Sequence, residues 1–425
     1  MKWSRRQFVS LCAVAAGGGA RVGASVMTQA IRASSFPALA EQVNGHALSY
    51  LDSAATTLRP ESVIDAIADY YRRDNANPSP AHTLARRAAD RLAAARQTLA
   101  RFVNAADPAE IVFVRGTTEG INLVASTWAE ANIRAGDEIV LTIAEHASNL
   151  LPWTRVAHRT GARIRVLDVD DEGRPRIEEF KNLLSGRTRL VAFSHVSNVL
   201  GYVNPAKELC ALARQAGARV LIDGAQAAPH RRIDVQDLGC DFYIFSGHKM
   251  LGPMGTGVAW ARRELLEAMP PFHLGSNMAH AVDFDAAEYE HGALKFQAGT
   301  PDVAGPVGLA AATRFFDAIG RDALSRHEHD LIEHGLERLA AIPRLRLIGP
   351  RTPIDRVPVF TFVIDGQSAA AVAGKLDQQG IAVRAGDMAA LPLLRRFGTT
   401  EAVRASAYVY STRADLDRLA DALLA

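Results

Sequence analysis

The chain is predicted to be an α/β protein, with a mostly parallel seven-stranded sheet in a large domain and a smaller α+β C-terminal domain. Three observations carry this. Seven short apolar runs alternate with helical patterns between residues 111 and 260. Most of those runs are apolar at consecutive positions rather than at every second one, as strands covered on both faces are. Near residues 299–308 the texture changes, and a long helical stretch replaces the strand–helix alternation. A length of 425 residues with 48% apolar content supplies core enough for two domains of unequal size.

Taken in order, strands are expected at 111–114, 138–143, 163–166, 189–193, 219–222, 242–245 and 257–260. Helical periodicity marks 63–72 and 86–103 ahead of the first strand, and 118–132 and 205–216 between strands. Repeated strand–helix–strand order demands crossovers, and hence a parallel sheet. Beyond it, one helical run at 307–342 precedes strands at 357–364 and 381–383 and a last helix from Thr412. The large domain is placed at 45–305 and the small one at 306–425, with residues 31–60 packing near the latter.

The first thirty residues differ from the rest. Ser4-Arg5-Arg6-Gln7-Phe8 is a twin-arginine pattern, followed by a weakly apolar stretch rich in Ala and Gly and by small residues at Val22-Gly23-Ala24. Residues 1–30 therefore read as a twin-arginine export signal, which carries folded proteins, and the mature chain is expected in the periplasm. The alternative is an uncleaved basic extension and a cytoplasmic protein. Cys12, preceded by Leu11, makes a poor lipobox, and the two remaining cysteines, Cys210 and Cys240, sit in apolar contexts typical of inert core thiols. A net charge of +2 without a basic block excludes a nucleic-acid footprint. No apolar stretch reaches the ~20 residues of a membrane span.

Chemistry concentrates where the strands end, which is where open α/β sheets bind ligands. Asp223-Gly224-Ala225-Gln226 follows one apolar run and Ser246-Gly247-His248-Lys249 the next, with 26 residues from acid to lysine. An aspartate suits a pyridinium nitrogen, and a lysine flanked by Ser246 and His248 suits a Schiff base beside a bound phosphate. Together they meet the minimum that pyridoxal phosphate (PLP) asks of a protein. Alone, Asp223 reads equally as a helix cap and Lys249 as a solvated loop residue. Gly116-Thr117-Thr118 opens a helix after an earlier strand, a turn that aims backbone N–H groups and hydroxyls at a phosphate. His146, after the next strand, is placed to stack on a ring, although a lone histidine at a strand end is more often structural. Asn198, in Ser194-His195-Val196-Ser197-Asn198, is expected to face the same crevice. His327-Glu328-His329 with His334 suggests a metal at first sight, but positions two apart on a helix do not share a face, so no metal site is expected.

These strings resemble the class V aminotransferase family, and within it the cysteine desulfurase and selenocysteine lyase branch. The resemblance runs from about Tyr50 to Leu419. It rests on Arg115-Gly116-Thr117-Thr118-Glu119-Gly120-Ile121-Asn122, His195-Val196-Ser197-Asn198-Val199-Leu200-Gly201, the Asp223 and Lys249 strings, Ala298-Gly299-Thr300-Pro301 and Arg404-Ala405-Ser406. It implies a fold type I PLP-dependent homodimer acting on a small amino acid. Lys249 would hold the cofactor and move the α-proton, with His146 against the ring. Asp223 would keep the pyridine nitrogen protonated, and Gln226 would meet the ring hydroxyl. Thr117, Thr118, Ser246 and His248 would bind the phosphate, with Thr300 reaching it from the partner subunit. Arg404 would clamp the substrate carboxylate with help from Asn198, while Arg384 and His82 match family positions near the substrate.

One departure matters. The family's desulfurases carry a nucleophilic cysteine shortly after an Arg-x-Gly, and here that stretch reads Arg384-Ala385-Gly386-Asp387-Met388-Ala389. Ala389 occupies the nucleophile's position, and Asp387 and Met388 stand where two histidines are common. A methyl group cannot attack sulfur. The expectation is therefore a lyase that cleaves a Cβ–S or Cβ–Se bond whose leaving group departs unaided, as in cysteine sulfinate, selenocysteine or cystine. The alternatives are a PLP-dependent aminotransferase or epimerase and a non-catalytic PLP-fold binding protein. Asp387 reads either as an acid beside the leaving group or, more simply, as a solvated loop carboxylate.

Overall fold

A computed structural model describes residues 35–425. The twin-arginine segment and Cys12 lie outside the described residues. The chain divides into two compact units. One comprises residues 63–197 and 203–313, the other, among the described residues, 35–62, 198–202 and 314–425. The second unit thus takes up an N-terminal segment and a five-residue insertion from the middle of the chain.

The first unit is built on seven strands: β1 (Ile111–Val114), β2 (Glu138–Thr142), β3 (Arg163–Leu167), β4 (Thr188–Ser194), β5 (Arg219–Asp223), β6 (Phe242–Ser246) and β7 (Gly257–Ala261). Their order across the sheet is β1-β7-β6-β5-β4-β2-β3. Strands β3, β2, β4, β5 and β6 run parallel, and β7 is antiparallel to both its neighbours. The sequence makes this sheet because it offers large apolar side chains to both faces. Phe242, Tyr243, Ile244 and Phe245 are each fully buried, the odd and even members on opposite sides. Phe242 and Ile244 join a core cluster with Ile121, Leu123, Leu190 and Leu221, so the helix Thr117–Val124 lies on that face.

The strands end one residue later than the apolar pattern suggests at five places, three of which carry a polar residue. Ser194, Asp223 and Ser246 are themselves the last strand residues, held in ladder register before the chain turns. The helix expected at 118–132 begins at Thr117, widens into a π-helical segment at Ala125–Ala129 and closes with Glu130–Asn132.

The second unit holds a four-stranded antiparallel sheet: β8 (Leu345–Ile348), β9 (Val359–Ile364), β10 (Arg384–Gly386) and β11 (Ala402–Ser406), in the order β8-β9-β11-β10. The single helical run expected at 307–342 is two helices, Ala304–Ile319 and Arg321–Ala340, parted at Gly320 with φ of +84°. Only glycine adopts that left-handed angle cheaply, so the break follows from the residue. The expected strand at 381–383 is the two-residue Ile381–Ala382, which pairs in parallel with Ser49–Tyr50 instead of joining the sheet. Thr412 caps the last helix, Arg413–Leu424, in a reciprocal capping box with Asp415. Among the described residues no helix is long and apolar enough to cross a membrane.

Candidate active site

In the first unit the functional groups stand at successive strand ends. After β1 the chain turns through Gly116 into the helix Thr117–Val124. The Thr117 amide donates to Ser246 Oγ at 2.8 Å, and the two hydroxyls of Thr117 and Ser246 lie 2.7 Å apart. Ser246 ends β6, two strands from β1, so the cradle is stitched across β7. Thr118 is exposed, and its hydroxyl pairs with Ser148 at 2.8 Å. His248 and Lys249 follow Ser246 in a short 3-10 turn, Gly247–Lys249, each half-buried. A helix start, two facing hydroxyls and a neighbouring histidine are the kind of groups that suit an anion.

Asp223 ends β5, buried, with Oδ1 accepting from the Ala225 amide at 2.9 Å. Among the described residues no other donor reaches this carboxylate. Burial raises its pKa above the ordinary aspartate value, against the Ala225 hydrogen bond and the charge of Lys249. A buried acid so sparsely satisfied is complemented by a cationic N–H, which is what a protonated pyridine ring offers. The acid, the lysine and the anion cradle therefore fit PLP. Gln226 is buried in the same turn.

Gly224 has to be a glycine here. A Cβ on it would stand 2.2 Å from Cε1 of Tyr243, whose ring fills the space beneath the turn. That tyrosine hydroxyl lies 3.0 Å from His195 Nδ1, and burial pushes His195 down to about 4, so the imidazole is neutral.

His146 is half-buried at the start of a 3-10 turn, with Nδ1 accepting from the Ser148 amide at 3.1 Å. That bond fixes the ring's orientation. His82 does similar work on the surface, where its Nδ1 caps the helix Thr83–Val103. Thr300 is exposed on a loop whose Gly299 is tied to Ser276 and Asn277.

The second unit carries a different group. Arg404, in the middle of β11, is buried. Its Nη1 donates to the Asn198 carbonyl at 3.1 Å and its Nη2 to Asp52 Oδ1 at 3.4 Å, while Nε is buried and meets no partner among the described residues. Burial lowers its pKa to about 10, still far above neutrality. Arg384 is its direct cross-strand partner on β10 and grips the same Asp52 at 2.6 Å. The Asn198 side chain donates to the Met388 carbonyl at 2.9 Å. Asn198, expected both at the cofactor crevice and beside Arg404, is here brought together with Arg404 and the 387–389 loop. In that loop the Ala390 amide bonds to the Asp387 carbonyl, and Met388 and Ala389 both have φ near +52°. This is the geometry of a type I′ turn, made without glycine or asparagine.

Sequence reasoning missed Asp52, Glu145, Ser148 and Tyr243. Asp52 follows only a short mixed run, Ser49-Tyr50-Leu51, a faint version of the signal that found Asp223. On the helix Arg321–Ala340, His327 and Glu328 are buried, whereas His329 pairs with Glu333 and His334 with Asp417. Among the described residues no group of three or more such ligands gathers.

Comparison with known proteins places these features. The family model for class V aminotransferases matches residues 49–419. A cysteine desulfurase of Synechococcus elongatus is 47% identical over 389 residues, 91% of this chain and 62% of that protein, so the chain spans less than two thirds of that relative. A probable cysteine desulfurase of Halalkalibacterium halodurans is 46% identical over 91% of this chain and 95% of its own length. Among solved structures, the Escherichia coli cysteine desulfurase CsdA, in its S-sulfonic acid form, superposes with a TM-score of 0.85. It is 37% identical, with 93% of this chain and 97% of that chain covered.

Proposed function

The chain belongs to the class V aminotransferase family, as a cysteine desulfurase-like PLP enzyme, and from that premise we propose a lyase acting without a persulfide-forming cysteine of its own. It cleaves the Cβ–S or Cβ–Se bond of an amino acid. The observation that carries this reading is the state of the thiols. Among the described residues the cysteines are Cys210 and Cys240, both buried in the sheet unit. Burial pushes the Cys210 thiol up to about 12 and Cys240 well up, so neither is a thiolate at neutral pH. The loop after Arg384 offers the methyl group of Ala389 instead.

When bound, PLP supplies the electron sink that acidifies the α-proton of an amino acid. The rest falls to this chain's own groups. Lys249 is the amine that holds the cofactor and moves the α-proton at Nζ. Asp223 would keep a proton on the ring nitrogen, Gln226 would meet the ring hydroxyl and His146 would lie against the ring. Thr117, Thr118, Ser246 and His248 would hold the phosphate, with Thr300 contributing in a homodimer. Arg404 takes the α-carboxylate, its free Nε and one Nη forming the fork that a carboxylate matches. Asn198 supports it, and Arg384 and His82 contact the remainder of the substrate. Since no thiolate pulls sulfur away, the β-substituent must leave unaided, which selects cysteine sulfinate, selenocysteine or cystine over cysteine.

A substrate panel on purified protein tests this, following the bound-cofactor spectrum and the amino-acid and keto-acid products. Alanine or pyruvate from those three substrates, with no protein-bound persulfide, is expected. Cysteine turned over fastest, with a persulfide on the protein, would sink the reading. Lys249→Ala serves as control and should lose both the absorption band and turnover. We also place the mature protein in the periplasm, through residues 1–30. Cell fractionation with Arg5→Lys and Arg6→Lys together should leave it in the cytoplasm, and an unchanged distribution would count against export. Sedimentation should show a dimer.

A further inference from the structure

The turn after β2 contains a buried acid that none of the roles above uses. Glu145 is 2% exposed. Its Oε1 accepts from Thr142 Oγ1 at 2.5 Å and from the Ser194 amide at 3.1 Å, and its Oε2 accepts from Asn149 Nδ2 at 2.7 Å. Those donors come from the end of β2, the end of β4 and the 3-10 turn Ala147–Asn149. One carboxylate therefore fastens three segments.

Each of those segments leads to a cofactor residue. Between Glu145 and Asn149 lie His146 and Ser148, and Ser148 meets Thr118 of the anion cradle. At the end of β4, Ser194 is in register with Asp223, and the His195 amide donates to the Asp223 carbonyl at 2.8 Å. The Ser194 hydroxyl, buried there, has no hydrogen-bond partner among the described residues.

The polarity of the knot is fixed from outside. Trp153 Nε1 can only donate, and it donates to Asn149 Oδ1 at 2.9 Å. Asn149 therefore turns its NH₂ toward residue 145, and the Ser194 amide also only donates. Both side-chain oxygens of residue 145 must accept. A carboxylate does this; an amide of the same shape would aim NH₂ at a donor. Burial pushes the Glu145 carboxyl up to about 7, against these hydrogen bonds, so the fully accepting carboxylate belongs to pH above about 7.

We infer that Glu145 is a positioning residue of the cofactor site, an acceptor-only anchor that fixes the His146–Ser148 turn against the strand end preceding Asp223. The inference rests on the PLP reading and goes beyond it. It predicts that geometry at the ring, rather than folding, suffers when the acceptor is lost.

The test is reloading of PLP onto the stripped full-length protein, followed by the bound-cofactor absorption band. The variants are Glu145→Gln and the double variant Glu145→Gln with Asn149→Asp. In the double variant the new amide donates to the new carboxylate, which still accepts from Trp153, so every donor regains an acceptor. Glu145→Gln should weaken PLP binding about tenfold and move the band, one buried donor having lost its acceptor. The double variant should return to within about threefold of wild type with the band restored. Unchanged affinity and spectrum in Glu145→Gln overturns the inference, and so does a double variant that fails to recover. If Glu145→Gln does not fold, the double variant decides alone: it must fold and bind PLP like wild type. Wild-type protein that binds no PLP with a Lys249-dependent band would bring down the cofactor reading itself, and this inference with it.

Discussion

Replacing Arg404 by lysine keeps the charge and removes the fork, which separates two ways of binding a carboxylate. In the structure the guanidinium spends Nη1 on the Asn198 carbonyl and holds Asp52 only at 3.4 Å, leaving Nε buried with no partner. A substrate carboxylate arriving at Nε and Nη2 makes two charge-assisted hydrogen bonds, each worth about 1.5–3 kcal/mol. A lysine ammonium reaching the same place keeps one of them. The expected loss is one bond, about 1.5–3 kcal/mol, or roughly 13- to 160-fold in kcat/KM. Steady-state kinetics on the best substrate of the panel measures this, with the bound-cofactor band as control, because Asp223 and Lys249 belong to the other compact unit. A decarboxylated analogue of that substrate completes the argument: it should be equally poor for wild type and Arg404→Lys. If Arg404→Lys retains kcat/KM within about twofold, or penalises the analogue as much as the amino acid, the carboxylate role of Arg404 is refuted.

Other outcomes follow from neighbouring features. Gly224→Ala drives a Cβ to 2.2 Å from the Tyr243 ring and should cost about 1–3 kcal/mol by denaturant unfolding, with weaker PLP binding; an unperturbed variant would mean the ring can withdraw. His195 is a base whose pKa falls on folding, from 6.5 to about 4. Its share of stability is therefore complete above about pH 6.5 and drains away as pH falls toward 4, by roughly 3 kcal/mol in all. Unfolding curves at pH 7, 6 and 5 should show that His195→Gln is less acid-sensitive than wild type across that window, and equal slopes would contradict a buried neutral imidazole. Ala389→Gly should stabilise the protein by about 1 kcal/mol, because φ of +53° strains an alanine and not a glycine. Ala389→Cys should acquire a persulfide detectable by mass spectrometry when given cysteine; failure would show that Asp387 and Met388 have also reshaped the loop.

Most of the seven strands were legible because an unbroken apolar stretch is hard to mistake for half-buried or amphipathic structure; the edge strand Arg163–Leu167, with arginines at every second position at its start, was marked by its place in the strand–helix alternation instead. β11 was not, since Arg404 interrupts its apolar run and disguises a fully buried strand, although the same residue was conspicuous as a motif. The hairpin of Ala279–Val282 and Ala287–Tyr289 was missed for the opposite reason: it is largely exposed, so no burial pattern marks it. Of the site, the acid, the lysine and the hydroxyl turns could be read because they follow strands directly. Asp52 and Glu145 could not be weighed, because what distinguishes them is which donors the fold delivers from distant segments. The same holds for residues 198–202, which no change of composition separates from the unit they leave.

The bond between Thr117 and Ser246 joins residues 129 apart in the chain. No stretch of the chain short of β7 contains both halves of the anion cradle together with the strand that lies between them. During synthesis, then, the earliest strand of the sheet waits at an open edge until the last one has been made and paired against it. Capture of the cofactor's phosphate comes at the end of that sequence, and any ligand bound only by the finished unit stabilises it by mass action. Loading of the cofactor's phosphate thus reports a finished sheet, with all seven strands in place.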